Sequence, residues 1–141
     1  MSREENIENI HSFFDFFNQI KILEVSEFFA EDIKVLLPYH SGLFPSETIG
    51  KKNIYESWNN FSKNFSDITF LLEEIMPFEE PNKIAVKLSG KHKFKNKAGS
   101  YDNDYFFLFY FDENGKIFEL HEYFNPVIAA KTFNMLDKIC K

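Results

Sequence analysis

Glu122 is the residue of this chain best suited by type and pattern to move a proton. Strand alternation across Ile117–Phe124 places it on one face with Phe118, Leu120 and Phe124. Apolar neighbours penalise a carboxylate, raise the carboxyl pKa and leave a proton to donate to a ketone, imine or enol near neutral pH. The competing reading is a structural acid bonded to a backbone amide or a tyrosine hydroxyl at the strand end. His40, beside Tyr39 in a long irregular segment, is the candidate complementary group, because an ordinary imidazole exchanges protons near pH 7. Its alternative is an exposed loop residue. Asn103 and Tyr105 share a strand face and offer an amide and a phenol to hold a carbonyl oxygen or to orient Glu122. Tyr39, Trp58 and Phe124 are the candidate substrate-binding wall, with Trp58 also readable as core.

The other titratable residues read as structural. His121 points to the face opposite Glu122, as a surface or dimer-interface residue. His11 sits beside the apolar stripe of a helix in a half-buried packing role, and His92 lies in a basic hairpin end exposed to solvent. Asp102 and Asp104, two apart at a strand start, are expected to face solvent. Four dispersed histidines and one cysteine give no zinc spacing. No Gly-rich phosphate loop and no G-x-S-x-G nucleophile motif occurs, so no cofactor is expected.

These residues need a scaffold. Ile7, Ile10, Phe13, Phe14, Phe17 and Ile20 recur at helical spacing and predict a helix over Arg3–Asn18, with a second over Leu23–Phe29. Ile33–Leu37 reads as a strand ended by Pro38, and Tyr39–Gly50 as a loop long enough to be a lid or wall. Ile54, Trp58, Phe61 and Phe65 mark a third helix from Lys51. Strands follow at Ile68–Met76, Lys83–Phe94, Tyr101–Phe111 and Ile117–Phe124, the last two joined through Asn114-Gly115. Pro126 opens a final helix to about Ile139. The order predicts an α+β fold with helices on one face of a mostly antiparallel sheet. Strand 101–111 is aromatic on both faces. Helices of so small a domain cover one face, so the other is expected to meet a second copy in a homodimer.

Composition agrees with one domain spanning 1–141. Nineteen phenylalanines point to an aromatic-lined cavity or a large apolar interface. A net charge of -6 and no basic run argue against nucleic acid. No apolar run reaches membrane-spanning length, the N-terminus is no signal peptide, and the lone Cys140 is a tail thiol; a cytoplasmic protein is expected.

Three sets of residues carry a resemblance: Tyr101-x-Asn103-x-Tyr105, then Asn114-Gly115-Lys116-Ile117, then Glu122-Tyr123-Phe124-Asn125-Pro126. With Leu37-Pro38-Tyr39 through Pro45 and Ile49-Gly50-Lys51, they resemble the SnoaL-like branch of the nuclear transport factor 2 superfamily over nearly the whole chain. The nearest likeness within it is to phenazine-biosynthesis A/B proteins. The resemblance implies a cone-shaped roll, a curved sheet around N-terminal helices with a deep apolar cavity, and a dimer. It implies an acid before the aromatic-x-Asn-Pro ending, matched by Glu122, and a pocket histidine in the loop before the third helix, matched by His40. Members include isomerases, cyclases, epoxide hydrolases, dehydratases and non-catalytic binding domains, so two readings stand. One is a cofactor-free acid/base enzyme of isomerase, cyclase, dehydratase or condensation type, acting on a small apolar or aromatic carbonyl compound. The other is a non-catalytic ligand-binding or dimeric interaction domain.

Overall fold

The computed structural model describes Met1–Ile139. Cys140 lies outside the described residues. Helix α1 spans Arg3–Asn18, as its periodicity predicts. It starts in a capping box: the Ser2 hydroxyl accepts the Glu5 N–H at 3.1 Å, and the Glu5 carboxylate accepts the Ser2 N–H at 3.2 Å. Its buried stripe is Ile10, Phe13, Phe14 and Phe17. Helix α2 (Ile22–Ser26) is shorter than expected, because Phe29 already opens strand β1 (Phe29–Leu36).

The segment read as one long loop contains a short strand, β2 (Glu47–Ile49), which pairs antiparallel with β1. Helix α3 covers Lys51–Ser62. Phe65 is not on its stripe; it begins β3 (Phe65–Pro77), fully buried there. Strands β4 (Lys83–Phe94), β5 (Ser100–Phe111) and β6 (Ile117–Phe124) follow the expected bounds closely. The final helix breaks at Asn134, whose φ of 58° ends the run, giving α4 (Pro126–Thr132) and α5 (Leu136–Ile139). His11 is exposed on α1, not half-buried.

The six strands form one sheet in the order β2-β1-β6-β5-β4-β3. All neighbours are antiparallel except β1 and β6. This is the α+β architecture predicted, a curved sheet wrapped around the N-terminal helices. No helix of the described residues is long and apolar enough to cross a membrane.

The core lies between the helices and the inner sheet face. Phe13 meets Phe14, Phe17 and Phe109 edge to face at 4.9, 6.1 and 5.5 Å between ring centroids. Such offset contacts add to the burial of large apolar area. β3 is an edge strand, and Asn18 covers part of that edge. Its amide donates to the Phe70 carbonyl at 3.1 Å and accepts the Phe70 N–H at 2.7 Å. This substitutes for a neighbouring strand and fixes Phe70, a residue of the site described below. On the outer sheet face Leu71, Phe106 and Phe118 stay exposed at 64, 38 and 37 %.

Candidate functional site

A cavity of about 160 Å³ opens between α1, α3 and the sheet. Helices contribute Phe17, Ile54, Trp58 and Phe61. The sheet contributes Phe70, His92, Tyr101, Tyr105, Phe107, Glu122 and Phe124, and the segment before α3 adds Phe44, Pro45 and Thr48. Nine aromatic side chains therefore line an apolar space whose polar groups are few.

Strand register aims Glu122 inward. It pairs with Phe107, and Phe124 pairs with Tyr105, while His121 pairs with Leu108 on the outer face. Phe118 does not share the face of Glu122. A bulge shifts the β5–β6 register between the Tyr110–Glu119 and Phe111–Ile117 pairs, turning Ile117 inward and Phe118 outward beside Tyr110. Glu122 retains some accessible area because it borders the cavity, yet protein encloses it. Burial alone raises its carboxyl to about 7, and no neighbouring charge or hydrogen bond offsets this. His121 instead meets Glu119 at 2.6 Å on the outer face.

Tyr101 and Tyr105 stand on the same inner face of β5. Burial raises both hydroxyls above their usual range, Tyr105 more strongly, and the nearby Glu122 charge acts in the same direction. Hydrogen bonding from Tyr105 and Asn103 partly offsets this in Tyr101. The Asn103 amide donates to the Tyr101 hydroxyl at 2.8 Å and to the Asn125 carbonyl at 3.1 Å. Its oxygen accepts the Asn125 N–H at 3.1 Å and the Asp104 N–H at 2.8 Å. Every hydrogen-bonding position of this amide is thus occupied. Asn103 holds Tyr101 and the β6–α4 corner; it does not reach into the cavity as expected of a substrate contact. Asn125, in turn, caps α4 by accepting the Val127 N–H at 3.0 Å.

The loop Leu37–Ser46 presents different residues from those the sequence suggested. Its backbone turns twice, through His40 N–H to Leu37 carbonyl at 3.1 Å and Leu43 N–H to His40 carbonyl at 2.8 Å. Ser41 and Gly42 are both left-handed, with φ of 51° and 78°. These turns bring Phe44 against Phe124, at 5.8 Å between centroids. They send Tyr39, 57 % exposed, to the outer face against Tyr123 at 5.2 Å. His40 stays in the loop, its Nδ1 accepting the Gly42 N–H at 3.0 Å. Neither Tyr39 nor His40 lines the cavity. Trp58, Tyr105, Phe124 and Glu122 do.

The histidine of the cavity is His92, expected from the sequence at a solvent-exposed hairpin end. It is 1 % exposed and packs against the rings of Phe70 and Phe65 at 4.8 and 5.4 Å. Burial lowers it to about 4, against smaller opposing effects of the Lys91 carbonyl, Asp102 and Asp67. The signal was present: Ile84, Val86, Leu88, Gly90 and His92 alternate with Lys87, Lys91 and Lys93. The lysines belong to the outer face of the same strand. Tyr101 was legible in the same way, two residues before Asn103. Asp102 and Asp104 face solvent as expected. No group of three or more His, Cys, Asp or Glu suited to a metal ion occurs among the described residues.

Among curated proteins, no sequence matches this chain. Solved structures do match in fold. A proposed isomerase from Bacillus subtilis superposes with a TM-score of 0.85 at 18 % identity, covering 96 % of this chain and 97 % of that one. A phenazine biosynthesis-related protein from Pseudomonas aeruginosa gives 0.80 at 23 %, covering 94 % and 83 %. The BvnE pinacolase of Penicillium brevicompactum gives 0.80 at 14 %, with all of both chains covered. Identities this low establish likeness of fold only. The SnoaL-like domain family matches residues 10–120. The chain, with its curved sheet, aromatic-lined cavity and inward Glu122, therefore belongs to the SnoaL-like family within the nuclear transport factor 2-like fold.

Proposed function

We propose that this protein is an acid/base enzyme of isomerase, cyclase, dehydratase or condensation type, acting on a small uncharged carbonyl compound. One observation carries the reading. Glu122 is a lone carboxyl in an aromatic cavity wall, held by burial at about 7. At that value both protonation states are populated near neutral pH, which suits a group that takes and returns a proton. The carboxylate form removes a proton from carbon next to the carbonyl, and the acid form returns it elsewhere. Tyr101 accepts from Asn103, which leaves its own O–H free to donate to the oxygen where negative charge develops. Likeness in fold to a proposed isomerase and to a phenazine biosynthesis-related protein supports small-molecule chemistry in this cavity. With His40 outside the cavity, Glu122 and the tyrosines carry the scheme. A cytoplasmic setting is part of the proposal, since one cysteine builds no internal disulfide.

The test follows deuterium entry beside the carbonyl of a small cyclic enone in D₂O by NMR. The protein should accelerate it, and Glu122→Gln, which keeps shape but cannot cycle a proton, should lower that rate by roughly 10²–10⁴-fold. An undiminished rate in the variant would remove Glu122 from this role.

The alternative, a non-catalytic binding or dimeric domain, draws support from the outer sheet face, where Leu71, Phe106 and Phe118 are exposed. We propose that a second copy covers this face. Dimerisation is compatible with either activity, because that face lies opposite the cavity.

A further inference from the structure

His92 is the cavity group that the acid/base scheme does not use. Its ring borders the cavity, is 1 % exposed, and its Nδ1 has no hydrogen-bond partner. Buried polar atoms are nearly always partnered; Nδ1 is sealed from the cavity, and Nε2, which no protein group among the described residues meets either, is the nitrogen that keeps accessible area for a guest. The ring is held by aromatic contacts to Phe65, Phe70 and Tyr101 at 5.4, 4.8 and 6.0 Å. It also lies over Gly90, where a β-carbon would sit 3.0 Å from His92 Cε1 and 3.2 Å from Nε2. The position is thus packed to hold an imidazole, and a purely apolar wall would take a phenyl ring without leaving a nitrogen unpaired.

The remaining wall narrows the guest. Among the described residues no lysine or arginine lines the cavity, and Glu122 does. An anionic guest finds no counter-ion there, and a neutral imidazole supplies none. The volume of about 160 Å³ is close to that of an apolar cavity of about 150 Å³ known to hold benzene.

We propose that His92 is a substrate-binding residue, its neutral imidazole hydrogen-bonding a hydroxyl or carbonyl of an uncharged, single-ring guest. This rests on the reading of the cavity as a small-molecule site, and it adds a residue and a substrate class to it. Nε2 pairs with either kind of group, because it donates in one neutral tautomer and accepts in the other.

Three probes separate the possibilities by ¹⁹F NMR at pH 7.5: 4-fluorophenol, fluorobenzene and 4-fluorobenzoate. The wild-type protein should bind 4-fluorophenol about tenfold more tightly than fluorobenzene, a ratio expected of one added hydrogen bond. The benzoate should not bind. His92→Phe should erase the preference for the phenol while leaving fluorobenzene binding unchanged, and His92→Gln should keep part of it. Retention of the full preference in His92→Phe would overturn the role of His92. Loss of both neutral probes together in His92→Phe and His92→Gln would make His92 structural and overturn it as well. If the wild-type protein binds 4-fluorobenzoate best, the substrate class falls. Failure of the wild-type protein to bind any probe would sink the small-molecule reading along with the proposal.

Discussion

The ring of Tyr105 lies over the bare backbone of Gly90: a β-carbon on Gly90 would stand 2.9 Å from Tyr105 Cε2. The same missing side chain makes room for His92, which pairs in register with Tyr101, while Gly90 pairs with Asn103. Gly90 is therefore a packing glycine, needed for close approach and not for a left-handed turn. Gly90→Ala would push the methyl group into two cavity residues at once. Overpacking of this kind costs about 1–3 kcal/mol. The expected result is a lower urea midpoint together with weaker binding of 4-fluorophenol. An alanine variant of unchanged stability would show that the two rings shift freely.

Glu122 should leave its mark on stability against pH. Its folded pKa is about 7, against an ordinary 4.5. Below the ordinary value both folded and unfolded chains hold the proton and nothing is lost. As pH rises from 4.5 to 7 the unfolded chain releases its proton first, so stability falls, and the loss is complete above 7. At about 1.4 kcal/mol per unit the full effect is about 3 kcal/mol. Glu122→Gln removes this limb. Its stability relative to wild type should rise between pH 5 and pH 8, read from urea midpoints at each pH. A difference that stays constant would refute the raised pKa.

His92 should act with the opposite sign. Its folded pKa is about 4 against an ordinary 6.5, because burial disfavours the imidazolium. As pH falls from 6.5 to 4 the unfolded chain takes up a proton that the folded chain resists, so stability drops across that window. The full effect is again about 3 kcal/mol. Between 4.5 and 6.5 the two residues oppose each other, so the wild-type profile alone looks flat there. His92→Phe exposes the Glu122 limb by itself: the variant should gain stability steadily from pH 7 down to pH 4.5. A variant that parallels wild type throughout would show that His92 is not the group titrating.

Which of these features were legible in the sequence follows from periodicity. Glu122 was readable because alternation through Leu120, Glu122 and Phe124 survives intact in β6. Phe118 was not, because the bulge beside Ile117 changes the count by one residue, and no turn residue announces it. His92 obeys the same alternation, but Lys91 and Lys93 on either side made its strand end look like a solvated hairpin. His40 lay beyond periodicity altogether. Its direction is fixed by two consecutive turns and the left-handed Ser41 and Gly42, which turn Phe44 to the cavity in its place. Asn103 was correctly placed on the inner face, but its partners come from Tyr101 and Asn125, a pairing that only the β5–β6 register creates.

That pairing gives Asn103 a positioning role that can be tested apart from folding. Asn103→Asp keeps an acceptor for the Asn125 N–H but removes both amide donors, so the Tyr101 hydroxyl loses the bond that now measures 2.8 Å. Leaving such groups unpaired costs about 1–3 kcal/mol. The enone exchange rate should fall while fluorobenzene binding, which needs only the apolar walls, is maintained. A stable variant with an undiminished exchange rate would show that Tyr101 needs no support from Asn103.

The proposed dimer makes a prediction about the outer sheet face. Phe106 and Phe118, 38 and 37 % exposed, sit on the central strands β5 and β6, with Tyr110 beside Phe118 at 6.2 Å and Tyr123 beside Phe106 at 6.4 Å. Sheets exposed on one face ordinarily alternate apolar inside with polar outside, and this one carries aromatic residues on both. A two-fold related copy would bring the same rings together, so one charge introduced on the chain enters the interface twice. Sedimentation should give twice the chain mass for the wild-type protein and a single chain mass for Phe106→Glu. Because Phe106 points away from the cavity, the variant should still bind 4-fluorophenol. A wild-type protein that sediments as one chain at tens of micromolar would leave this face without the partner proposed for it.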